Sequence, residues 1–206
     1  MFGRLTLKIL IVLSVPAAAQ FGGFSFWQYK PSYFVLTDTI YNGNLGGIAG
    51  ANNLCFQELR DRPWKGKETV QFDASHVRAF ICDNSTCNNL KPNRRYFFAV
   101  ANTGYGGASF VTDASGVGPQ DSTAWGSSSM YFNALANYFW SGRTLGSSTL
   151  WGTTPTGQSC SNWTVSSGGG NKGDGGDPDL AGVGRWNDSN PATCNTTLSL
   201  LCVVDP

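Results

Sequence analysis

Cys194-Asn-Thr-Thr-Leu-Ser-Leu-Leu-Cys202-Val203-Val204 lies near the C-terminus, and its reading decides how the rest of the chain is arranged. Leu198 to Val204 is an apolar run of the length of a buried strand. A buried strand that carries a cysteine so late in the chain needs a distant partner to tie it down. Cys55, in an apolar segment far upstream, is the candidate, and that pairing would bring the two ends of the domain together. The same C-terminal region holds Cys160, in Gln158-Ser-Cys-Ser-Asn-Trp163, and the segment Gly184-Arg-Trp-Asn-Asp188. Cys82 and Cys87 enclose only Asp83-Asn84-Ser85-Thr86, a turn that a local bridge can staple. Six cysteines admit fifteen connectivities, and their even number suits an oxidising compartment.

The first nineteen residues read as a signal peptide. Arg4 and Lys8 form its positive start, Ile9 to Val15 its apolar centre and Ala17-Ala18-Ala19 its cleavage site. The apolar centre is too short for a membrane span. The mature chain is then expected to be secreted, extracellular and without a span. Without Arg4 and Lys8 the formal charge falls from +1 to −1, which offers no general attraction to nucleic acid or an anionic membrane. Residues 20–32 are an aromatic, Gly-rich lead-in, and residues 33–206 are expected to form one domain, of a size that supports a single core. Four glycosylation sequons occur, at Asn84, Asn162, Asn187 and Asn195. His76 is the single histidine and no C-x2-C pair is present, so a zinc site is not expected.

Along the chain, Tyr33 to Thr37 has strand composition. The turn Tyr41-Asn-Gly-Asn-Leu-Gly-Gly47 follows, and then Ile48, Ala51, Leu54, Cys55 and Leu59 recur on one face of a helix that Pro63 ends. His76 to Cys82 and Tyr96 to Ala101 read as strands. Gly104 to Gly118 reads as a Gly-rich loop, and Ser166 to Gly184, with Asp174, Asp177 and Asp179, as a mobile one.

Tyr41-Asn-Gly-Asn-Leu-Gly-Gly-Ile-Ala-Gly-Ala51 with Cys55-Phe-Gln57 resembles the opening of endostatin-like domains, and more closely a group of secreted, mostly bacterial domains of unknown function. Trp151-Gly152, Cys160-Ser-Asn-Trp163, Cys194 and Leu201-Cys202-Val203 continue the resemblance in the same order. It implies an α+β C-type lectin-like fold with long Gly-rich loops and adjacent termini. It also implies the nested pairs Cys55–Cys202 and Cys160–Cys194, which leave Cys82–Cys87 as a local bridge. Gly184-Arg-Trp-Asn-Asp188 is similar to the Trp-Asn-Asp motif of calcium-dependent lectins, in which the Asn and Asp bind the ion that holds the sugar. Asn187 and Asp188 are thus calcium and ligand candidates, with Asp177 and Asp179 as further metal candidates, since calcium takes 6–8 oxygen ligands. The companion carboxylate motif expected before Cys160 is absent, because Gly152 to Gln158 contains no acid. Trp125 and Trp163 are read as loop tryptophans able to stack on a sugar. Arg60, Arg62, Lys65 and Lys67 with Arg94 and Arg95 would form a basic patch if the two runs converge.

These features describe a binding module for an extracellular glycan or matrix component, without catalysis, since no nucleophile elbow or base pairing is visible. A structural matrix protein that assembles through Phe21 to Tyr29 is the alternative.

Overall fold

Ser199–Val204 form β9, six consecutive buried residues on which the sheet is assembled. The structure, a computed structural model, describes residues 31–99, 109–116, 138–144, 155–168, 172–173, 175–176 and 191–206. One edge of β9 pairs antiparallel with β1 (Ser32–Leu36), placing Phe34 opposite Val203 and Val35 opposite Cys202. The other edge is shared: β5 (Phe139–Trp140) runs parallel to its start and β2 (Val77–Ala79) antiparallel to its end. β3 (Arg95–Ala99) lies parallel to β1, β4 (Ser109–Val111) antiparallel to β3, and β7 (Gly175–Gly176) beyond β5. A separate ribbon joins β6 (Lys172–Gly173) to β8 (Ala192–Thr193).

Side chains alternate across a strand, and here both faces are buried, which is why Leu198 to Val204 shows no polar alternation. Val35, Val77, Ala79, Leu200, Cys202 and Val204 face the helix α1 (Gly47–Asp61), which turns Ala51, Cys55 and Leu59 toward them. Phe34, Phe80, Tyr96, Phe98, Phe110 and Phe139 cluster with Leu201 and Val203 on the opposite face. Phe34 stacks on Phe98 at 5.6 Å and meets Phe80 edge-on at 5.3 Å. Buried Arg143 lies 3.6 Å above the Phe80 ring and donates to Asn88 O and Asn89 Oδ1. Burial, with Arg78's like charge, pulls its pKa down to about 9, so it remains a cation at neutral pH.

Three disulfides are present: Cys55–Cys202 ties α1 to β9, Cys160–Cys194 holds the segment before β9, and Cys82–Cys87 closes the local turn. The described residues are thus mixed α and β, with β9 beside β1. Among the described residues no helix is long and apolar enough to cross a membrane.

Three details differ from expectation. The 104–118 loop contains β4, because Phe110 is buried against Phe34 and Tyr96. His76 sits in a short turn, Ala74–His76, and β2 stops at Ala79. The glycines expected in a mobile loop include Gly173 and Gly175, which are buried in β6 and β7. A Cβ on Gly173 would come within 2.9 Å of Cys160 Sγ and of the Trp163 ring, and one on Gly175 within 3.0 Å of Phe139 O. Close approach, not mobility, requires glycine there.

Asp205, just past β9 and 1% exposed, fastens the strands at one end. Its carboxylate accepts from Ser32 Oγ at 2.9 Å, Arg78 Nη2 at 3.0 Å and Tyr96 OH at 3.0 Å. Arg94 Nε lies at 3.3 Å and Lys91 Nζ at 3.5 Å. Burial works to raise the Asp205 pKa, but the charge and hydrogen bonds of Arg78, Ser32 and Lys91 outweigh it and hold it below the ordinary range.

Replacing Cys55 and Cys202 together by Ser should cost about 5 kcal/mol in the loop-entropy account, against about 2 kcal/mol for Cys82 and Cys87, read as urea-unfolding free energies. The Asp205 contribution should be whole above the unfolded pKa of about 3.9 and be lost as pH falls through the lower folded value. Asp205→Asn should therefore cost about 3 kcal/mol at neutral pH and flatten the acid side of the stability curve. An acid limb as steep as that of the unaltered protein would refute this role.

Candidate functional site

Of the residues expected to bind ligand or calcium, Asn187, Asp188, Asp177, Asp179 and Trp125 lie outside the described residues. Trp163 is a correction. It is fully buried, donates its indole N–H to Cys82 O at 2.7 Å and packs 5.5 Å from the Trp140 ring. An indole enclosed on this scale is core and has no face to offer a sugar. Among the described residues no group of three His, Cys, Asp or Glu side chains is placed to hold a metal ion.

The expected basic patch is largely spent inside the molecule. Arg60 forks onto Asp61 at 2.6 and 2.8 Å, and Lys67 Nζ donates to Arg60 O and Arg62 O. Arg62 donates to Leu36 O and pairs with Asp38 and Glu58, while Arg94 serves Asp205 and Ser32 and Arg95 donates to Ser109 Oγ. His76 holds Gln71 O through Nδ1 at 3.1 Å.

An open cleft of about 400 Å³ does form at the start of the domain, between the Asp38–Tyr41 segment and α1. Helical spacing puts Leu54, Gln57, Glu58 and Asp61 on this side of α1. Glu58 is the organising group: its carboxylate accepts from Asp38 N–H at 2.5 Å, Thr39 N–H at 3.3 Å and Tyr41 OH at 2.9 Å. Burial first, and then the Glu58 hydrogen bond and charge, push the Tyr41 pKa up to about 12. Tyr41 is thus a neutral phenol that donates at physiological pH. Asp38 is 71% exposed and paired with Arg62, and Asp61 is 64% exposed and paired with Arg60, so the cleft mouth carries two ion pairs beside the Gln57 amide. The cleft is thus shallow and of mixed charge, bordered by two arginine–carboxylate pairs, the Gln57 amide and the Tyr41 phenol that Glu58 holds in place. Neither Glu58 nor Tyr41 stands out in the sequence as a member of a site; the spacing of Glu58 three and four residues before Asp61 and Arg62 is the available signal, and Tyr41, outside the helix, has none.

On another face, Cys160–Trp163 (α2) form a single turn wound with the left hand, with φ of 49, 53, 58 and 60°. Ordinary residues pay roughly 1–2 kcal/mol each for this conformation. Several contacts hold it. Cys160 is bonded to Cys194, the Trp163 side chain is in the core, and Ser159 Oγ accepts from Asn162 N–H at 3.1 Å. Asn162 Oδ1 accepts from Asn84 N–H at 2.9 Å, and Ser159 Oγ donates to Asn84 Oδ1 at 2.5 Å, joining the turn to the Cys82–Cys87 loop. Gly43 lies directly beneath, where a Cβ would come within 2.4 Å of Cys160 Sγ.

Neither the protein-family models nor the curated proteins contain a match to this chain.

If the left-handed turn is imposed by its surroundings, exposed Ser161 should report the strain. Ser161→Gly is expected to raise stability by about 0.5 kcal/mol, and Ser161→Val to lower it by about 1–2 kcal/mol, in thermal or urea unfolding. Equal effects of the two substitutions would mean that the turn relaxes.

Proposed function

We propose that this chain is a secreted, disulfide-bonded binding module of the endostatin-like or C-type lectin-like kind, which recognises an extracellular glycan or matrix component without chemical turnover. The observation that carries the proposal is the nested pairing of Cys55 with Cys202 and Cys160 with Cys194, the arrangement that the sequence resemblance implies. Three disulfides support an oxidising compartment. The Glu58-centred cleft supports the ligand class, because its exposed ion pairs and amide offer the donors and acceptors that sugar hydroxyls need. Calcium assistance through Asn187 and Asp188 belongs to the same reading.

Two measurements test it. Binding of neutral and acidic oligosaccharides should weaken roughly tenfold, about 1.4 kcal/mol, in Gln57→Ala and Asp61→Ala, with unfolding unchanged. Those side chains are exposed, so a loss of binding would not come from a damaged core. A melting curve in calcium against chelator should show an upward shift that Asp188→Ala removes, since ligation of the folded state alone raises stability. Absence of glycan binding in both metal conditions would reject the ligand class.

A further inference from the structure

We infer that the exported protein carries N-linked glycans at Asn84 and Asn195, and that the fold withholds the sequon at Asn162. This rests on the export proposed above. In the modification, the amide Nδ2 displaces pyrophosphate from the anomeric carbon of a lipid-linked oligosaccharide. The carbon–oxygen bond to the donor breaks, a carbon–nitrogen bond forms, and the amide gives up a proton as the lipid pyrophosphate departs. The acceptor has to present Nδ2 together with the hydroxyl two residues on, and the residue between must be free to follow them into the transferase. Such sequons sit on surface loops.

The three sequons among the described residues differ in this respect. Asn195-Thr196-Thr197 occupies the turn between β8 and β9, where both Asn195 and Thr197 are exposed. Neither of their side chains is hydrogen-bonded to a described residue; Thr196 alone is engaged, through a 3.2 Å bond between its hydroxyl and that of Thr193. Asn84-Ser85-Thr86 is the tip of the loop closed by Cys82–Cys87, with all three residues exposed. Its Asn is oriented by two bonds, since the backbone N–H donates to Asn162 Oδ1 and Oδ1 accepts from Ser159 Oγ, and Nδ2, the atom that takes the sugar, has no hydrogen-bond partner among the described residues. The retained Oδ1 keeps its bond to Ser159 after modification. Asp83 Oδ1 accepts from the N–H and hydroxyl of both Ser85 and Thr86 at 2.7 to 3.2 Å, but these bonds lie in an exposed loop, and releasing them extracts no buried side chain.

Asn162-Trp163-Thr164 is held at every position. Asn162 is exposed, but its backbone is fixed in the left-handed turn. The middle residue is fully buried Trp163, and the Thr164 hydroxyl is turned back onto Ser161 O at 2.6 Å. Drawing this sequon into an extended acceptor conformation means extracting Trp163 from beside Trp140 and unwinding a turn that Cys160–Cys194 clamps.

The test is a site map of protein collected from the medium of the source organism. Enzymatic deglycosylation in heavy-oxygen water leaves a labelled Asp wherever a glycan was attached. Label at Asn84 and Asn195, with Asn162 unlabelled, is the expected result. Thr197→Ala should remove one glycan's mass and leave the melting temperature where it was. Exported protein that lacks label at Asn84 or Asn195, or carries it at Asn162, overturns the assignment while leaving the binding proposal standing. Protein retained inside the cell overturns the export reading and the glycan assignment with it.

Discussion

A single carboxylate, that of Asp205, gathers the ends of three strands. Ser32 belongs to β1, Arg78 to β2 and Tyr96 to β3, and all three donate to it in a place that water does not reach. A buried charge is tolerated only when its partners replace the lost solvent. Here they do so from Arg78, Arg94 and Lys91, whose own side chains are 20%, 25% and 52% exposed. The desolvation cost is thus concentrated on the anion while the cations stay partly hydrated. The geometry also selects register: displacing β9 by one residue would move Asp205 out of reach of all its donors and exchange the two buried faces.

Much of the architecture was legible because it depends on apolar period. The helix face of Ala51, Cys55 and Leu59, the strand character of Tyr33 to Leu36 and the buried strand before the end of the chain all follow from side chains that must leave water. The pairing of Cys55 with Cys202 followed from the same reasoning. What was not legible depends on contacts between distant residues. Asp205 reads in sequence as an exposed acid after a strand; only the folding together of residues 32, 78, 91, 94 and 96 makes it a hub. The same holds for Arg143, whose burial over Phe80 has no local signature. Glycine content misled for a related reason, since composition cannot separate a glycine chosen for freedom from one chosen because no room exists for a Cβ, as at Gly173.

The candidate site shows the same division. Trp163 reads in the sequence as a loop tryptophan able to stack on a sugar, yet the Cys160–Cys194 bridge beside it belongs to the core and the indole is buried with it. Glu58 and Tyr41 are seventeen residues apart and become one site only because α1 lies against the segment that leaves β1. A carboxylate that orders two backbone amides and a phenol keeps the cleft preformed, so a ligand meeting it would pay little ordering entropy.

The position of β9 in the chain has a consequence for biosynthesis. This strand is flanked on both edges, yet it comes after every strand it pairs with. Until residues 199–204 have been made, β1, β2 and β5 have no common neighbour, and Cys55 waits across 147 positions for its thiol partner. The sheet therefore closes only after β1, β2 and β5 have all been made, through contacts of high sequence separation that form slowly. Over that interval the chain exposes unpaired strand edges and an unprotected thiol, the features that make a partly folded polypeptide prone to aggregation.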